Sequence, residues 1–131
     1  MQTTTISKTQ RIIGWIMSGL VILFMLMDGI MKLVKPAPVV EGTLKLGYAE
    51  HHISTIGILG LIATLLYIIP RTALLGAALL MSFFGGAIAS NYRLDMPLFS
   101  HILFPVYLGI LMWGGLWLRN EKLRAVFPVI K

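Results

Sequence analysis

Four apolar runs, each close to the length that crosses a bilayer, dominate this chain: about 12–34, 53–69, 73–92 and 100–118. A membrane-spanning helix needs about 20 mainly apolar residues. Lipid offers the backbone no hydrogen-bond partner, so each run must satisfy itself as a helix. Composition agrees: of 131 residues 57% are hydrophobic and 12% charged, with a mean hydropathy of +0.86. A soluble domain is roughly a quarter charged, so water is not the main solvent of this chain. The expected fold is all-α, an integral membrane four-helix antiparallel bundle that makes one domain of residues 1–131.

Ala73 to Tyr92 carries no charge, and Ala78, Ser82, Gly86 and Ser90 fall four apart within it. On a helix these residues make one stripe of small side chains. Stripes of this kind let helix backbones approach closely in lipid, where no water is expelled to drive association. The stripe predicts helix packing, with this run as the central helix against which the others lie. Gly85, Gly86, Gly109, Gly114 and Gly115 lie mid-span and are read as packing devices in the same sense.

Around that helix the chain orders itself simply. Ser7 and Gln10 have the spacing of a capping box at the start of the first helix. A signal peptide is disfavoured there, because the run is too long and no small-x-small cleavage site follows. Residues 36–50, with two prolines and two glycines, read as a loop. Pro70-Arg71-Thr72 makes a tight turn, and Ser100 is placed to cap the fourth helix. Pro105 sits inside that helix and predicts a kink, since its ring displaces the carbonyl of His101. Trp15, Trp113 and Trp117 lie near helix ends, as interfacial anchors do. The tail, residues 119–131, alternates charged and apolar residues and is expected to lie along the headgroups.

Charge placement orients the bundle. The side with both termini collects Lys8, Arg11, Arg71, Arg119, Lys122, Arg124 and Lys131, against Lys32, Lys35, Lys45 and Arg93 on the other. By the positive-inside rule both termini are expected in the cytoplasm. The net charge of +6 is then a matter of topology, and nucleic acid is not needed to explain it.

The candidate chemistry gathers on the opposite side: Asp28 and Lys32, then Glu50, His51 and His52, then Asn91 and Arg93, then His101. Asp28 and Lys32 share a helix face and can pair. An acid within an apolar span is costly unless paired. Asp28 is therefore either a structural counter-ion for Lys32 or Arg93, or a ligand or proton site between helices. Arg93 either snorkels to headgroups or binds an anionic or carbonyl-bearing ligand. The adjacent His51 and His52 point about 100° apart on a helix and do not face one ion together, so no metal site is assigned. Cysteine is absent, which excludes disulfides, thiolate nucleophiles and iron–sulfur clusters. No nucleotide, zinc-hydrolase or nucleophile–base motif is present, and no catalytic residue is assigned.

Several stretches together resemble the DoxX-like family of small bacterial membrane proteins. They are Asp28-Gly29-Ile30-Met31-Lys32-Leu33, Val39-Val40-Glu41-Gly42 with Leu46-Gly47-Tyr48, and Leu66 to Gly76. Gly85 to Ala89 and Pro97 to His101 with Phe104-Pro105 complete the set. The resemblance implies a four-helix protein of the bacterial inner membrane, in a family associated with redox complexes. Family members often carry Glu where this chain has Gly60 and His where it has Asn91, so two ionisable groups are missing here.

Three functions are then open. The first is a redox accessory that holds a quinone-like ligand through Asp28, Lys32, Asn91, Arg93 and His101, or supports a membrane oxidoreductase. The second is a non-enzymatic assembly protein docking partner membrane helices. The third is a small transporter, which four spans support only as a homo-oligomer. In each the expected surroundings are membrane lipid and a partner membrane or redox protein. Convergence of the polar residues on one cavity favours the first, and their dispersal favours the second.

Overall fold

Once a spanning helix has met its own backbone hydrogen bonds, its side chains decide what it packs on. The computed structural model describes residues 6–130; Lys131, counted above in the tail, and the first five residues lie outside them. Four helices are long and apolar enough to span: α1 (Lys8–Val34), α3 (Glu50–Ile68), α4 (Ala73–Arg93) and the segment 98–119. That segment is a π turn, Leu98–Ile102, followed by α5, Phe104–Arg119. Among the described residues two short helices complete the set, α2 (Ala37–Lys45) and α6 (Glu121–Val126). No described residue forms a strand.

The predicted spans lie within these helices to a few residues, and the capping box is made. Ser7 Oγ accepts from Gln10 N at 3.1 Å while Ser7 N donates to Gln10 Oε1 at 3.3 Å. Consecutive spans run antiparallel in a four-sided ring in which α1 meets α3 and α5, and α4 meets α3 and α5. Only 28–39% of the most apolar window of each span is buried inside the protein. The rest of α1 presents Ile16, Leu20, Leu23, Met27 and Ile30 outward, a surface that suits lipid and not water.

α4 is not a central helix: it packs on α3 and on both parts of the fourth span but does not reach α1, which stands opposite it and packs on α2, α3 and α5. The buried line of α1 is Gly14, Ser18, Val21, Met25 and Gly29. A methyl group added at Gly14 would stand 2.8 Å from the Gly115 carbonyl of α5, and one at Gly57 of α3 would stand 3.1 Å from the Gly29 carbonyl of α1. Where α3 meets α4, a methyl on Gly76 would collide with the backbone of Leu66 and Tyr67. These are the crossings where only glycine fits. The stripe expected to do this work does not: Ala78, Ser82 and Gly86 are exposed, and a methyl added at Gly85 or Gly86 meets nothing within 4 Å.

Two polar clusters close the end that holds both termini. Tyr67 Oη donates to the Met112 carbonyl at 2.7 Å and lies 2.8 Å from Ser18 Oγ, which also accepts from Arg119 Nε at 3.3 Å. Three helices are thereby tied through one buried hydroxyl pair, and the guanidinium of Arg119 lies 3.9 Å over the Trp15 ring. The first part of the tail packs on the bundle. Leu123 and Arg124 are buried, and Arg124 donates to the last carbonyls of α5, those of Trp117 at 2.8 Å and Leu118 at 3.1 Å. Phe127 stacks on Trp113 with ring centroids 4.6 Å apart.

Two further expectations give way. Residues 37–45 are helical, because Pro36 and Pro38 stand at the N-cap and in the first turn, where no intrahelical N–H is lost. Ser100 caps nothing; the kink at Pro105 is resolved by the π turn, which places Pro105 in the first turn of α5. There Leu103 N is diverted to the Leu98 carbonyl, and the Phe99 carbonyl accepts from Tyr107 Oη at 3.1 Å instead.

Candidate functional site

The site begins with one helical turn. Asp28 and Lys32 stand four residues apart near the end of α1 and form an ion pair, with side chains 29% and 15% exposed. Among the described residues no other pair of opposite charges lies within 4 Å. Between them Gly29 seats α1 on α3, and a methyl at Gly57 of α3 would stand 2.9 Å from Lys32 Cβ. The close crossing thus lays the lysine stem along α3. The surroundings are apolar, so the two charges attract more strongly than they would in water, and either alone is costly.

Two open cavities meet at this pair. The larger, about 420 Å³, lies between α1, α3 and α4 beneath α2, with Thr43, Tyr48, Ile56 and Ser90 in its walls. The smaller, about 230 Å³, lies between α1, α4 and the start of the fourth span, with Phe24, Asn91, His101 and Phe104 in its walls. Asp28, Lys32, Phe83 and Ala87 line both. The ion pair and the Phe83 ring therefore form a partition that presents charge and an aromatic face to either side.

Four of the five predicted ligand residues converge on this partition or beside it: Asp28 and Lys32 in both cavities, Asn91 and His101 in the smaller one. Asn91 Nδ2 donates to its own helix at the Ala87 carbonyl, at 2.8 Å, and His101 Nδ1 lies 2.8 Å from Ser100 Oγ. Arg93 lines neither cavity. Its Nη2 donates to the Leu46 carbonyl at 2.6 Å, across the connection between α2 and α3, so Asp28 pairs with Lys32 and not with Arg93. Of the small-residue stripe, Ser82, Gly86 and Ser90 line the larger cavity and Ala78 lies outside it. Ser82 Oγ and Ser90 Oγ donate back to the Ala78 and Gly86 carbonyls, at 3.0 and 2.8 Å. Here small residues make room.

Reading the sequence missed Tyr48, Thr43 and Phe83. Tyr48 Oη bonds Ser90 Oγ across the mouth of the larger cavity, and Thr43 is the buried residue of α2. The available signal was Pro36 and Pro38 directly ahead of Val39, Thr43 and Leu46, a helix start followed by residues four and three apart. His52 serves its own helix, its Nδ1 accepting from Ala49 N at 3.1 Å. Among the described residues no three His, Asp or Glu side chains gather closely enough to hold a metal ion.

Chemically, the partition offers an ammonium donor, a carboxylate acceptor, a phenol hydroxyl and flat apolar walls. That set holds a small ligand with a carbonyl or similar acceptor and an apolar body. The larger cavity falls within the roughly 300–1,000 Å³ of small-ligand sites.

No curated protein and no solved structure matches the chain. The model of the DoxX-like family matches residues 16–115, a span that contains both cavities and all four spanning helices in whole or large part. The chain belongs to the DoxX-like family, and it is a small membrane protein with four apolar helices.

Proposed function

We propose that the protein is a redox accessory of the bacterial inner membrane that holds a quinone-like ligand at the Asp28–Lys32 partition. Both termini face the cytoplasm, on the count of basic residues at each end. The observation that carries this reading is the pair of cavities sharing one ion pair and one aromatic ring. A quinone head needs hydrogen-bond donors at its carbonyls and a flat apolar wall, and its tail needs lipid. Lys32 Nζ supplies a donor in the larger cavity, Phe83 supplies the wall, and Asp28 holds the ammonium in place. The chain has no cysteine and no redox motif, so electrons pass between the quinone and a partner oxidoreductase. The protein's own part is to bind and orient.

One observation favours a second reading, the assembly protein. Ala78, Ser82 and Gly86 are exposed, and a methyl added at Gly86 meets nothing within 4 Å, so this stripe beside the open cavity suits docking of a partner membrane helix.

Mass spectrometry of small molecules retained after purification in mild detergent separates the two. A quinone is expected with the wild type and with Lys45→Ala, and not with Lys32→Met. A well-folded wild type that retains no quinone would overturn the first reading and leave the second.

A further inference from the structure

We propose that α2 and the turn after it, residues 46–49, form a lid over one side of the larger cavity, and that Arg93 is the latch that holds it down. The proposal deepens the ligand reading above and rests on it for its purpose, although the lid can be observed without any ligand.

α2 is the rigid part of the lid, with one bend in the chain before it and another within the turn after it. α2 is nine residues long, and the chain turns through the left-handed region on either side of it, at Lys35 with φ 61° and at Gly47 with φ 91°. It packs sparsely on α1 and α3. Its inward side, including Val39, Gly42 and Thr43, is cavity wall. A methyl added at Gly42 meets nothing within 4 Å, so open space and not a packed core lies against it.

Only side chains tie this piece to α4. Tyr48 Oη meets Ser90 Oγ, and Arg93 Nη2 donates to the Leu46 carbonyl at 2.6 Å. Leu46 caps the carboxyl end of α2, where the unpaired carbonyls attract a cation. Gly47 is built for the contact in two ways. Its positive φ suits glycine, and a side chain there would place Cβ 2.7 Å from Arg93 Nη2. Arg93 is exposed at the rim, so a charge-assisted bond is broken and remade there without opening the bundle. The cavity is already open on a side lined by exposed Leu59, Ser82 and Gly86, so the lid covers one further side of it, and parting α3 from α4 to widen the site would disrupt the backbone contact at Gly76. Swinging α2 leaves every spanning interface intact.

The chain lacks cysteine, so introduced pairs report cleanly. Spin labels at Glu41→Cys on α2 and Ala89→Cys on α4 read the lid; labels at Ile16→Cys and Ile110→Cys read the spanning bundle. All four positions are exposed. In the otherwise wild-type chain the lid pair should give one narrow distance. Arg93→Ala should add a longer, broader population, Arg93→Lys should restore most of the narrow one, and the bundle pair and the melting temperature should not change. A short-chain quinone should leave Arg93→Ala about tenfold faster, the size expected for one lost charge-assisted hydrogen bond.

An unchanged lid distance in Arg93→Ala overturns the latch. If quinone is lost from that variant while the lid stays closed, Arg93 is a ligand residue and the latch is again overturned. Broadening of the bundle pair as well would make Arg93 a structural support instead. A lid that opens in a protein retaining no quinone upholds the latch and removes only the ligand reading.

Discussion

The two ends of this bundle use small residues differently. At the end with the termini glycine brings backbones together, Gly14 against Gly115 and Gly76 against the chain at Tyr67, as Gly29 and Gly57 also do beside the ion pair. At the far end, Ser82, Gly86 and Gly42 leave a cavity of about 420 Å³. Charge divides the same way. The closed end holds Arg119 with neutral partners, the Trp15 face and Ser18 Oγ, while the open end holds a carboxylate–ammonium pair between two cavities. The difference teaches that a small residue in a spanning helix marks either a crossing or a space. The backbone opposite it decides which.

The sharpest way to break the comparison is to add one methyl group at each end. Gly76→Ala forces a side chain into the α3 backbone, where nothing flexible can yield, and should cost about 3 kcal/mol or more. Gly86→Ala meets open space and should stay within about 0.5 kcal/mol of the wild type. Unfolding in mixed detergent micelles measures both. Similar losses from the two would erase the distinction between the ends.

The ion pair comes next. Asp28→Asn or Lys32→Met alone leaves one charge in an apolar wall, partly exposed, and should cost about 2 kcal/mol. The double variant, which removes both charges, should recover most of that loss. If the single losses simply add, the two residues do not act as a pair. The closed end answers with a smaller effect: Tyr67→Phe removes the hydroxyl shared by Ser18 and the Met112 carbonyl, for about 1 kcal/mol. The same unfolding assay reads it, and no loss would mean the network adds little to the packing around it.

Which of these features could be read in advance follows from their range along the chain. The spans, the capping box and the Asp28–Lys32 pair are local, set by hydropathy and by spacings of three or four residues, and all are present in the structure. The cavity is not local. Its roof is a helix that two prolines disguised as a loop, although proline in a first turn removes no hydrogen bond. Arg93 could be seen as a cation at a helix end, but its partner at Leu46 is 47 residues away. Small residues of α1 carry the same four-residue spacing as the stripe on α4, since Gly14 and Ser18 are four apart. Nothing in the spacing distinguishes a face that meets a helix from one that meets a cavity.

That ambiguity also gives the smallest stability effect its use. Gly86→Leu and Gly42→Leu both project a side chain into open space, the first from α4 and the second from α2, and neither should change stability by more than about 0.5 kcal/mol. Both fill the larger cavity, so under the ligand reading both should abolish retention of a quinone. Only Gly86 lies on the outward stripe. Under the assembly reading Gly86→Leu should therefore release a partner helix, while Gly42→Leu should leave that partner bound. Loss of the same small molecule from two substitutions on different helices, with folding intact, would mean that these small residues serve the space between them. Loss of a partner from one alone would mean that they serve a surface.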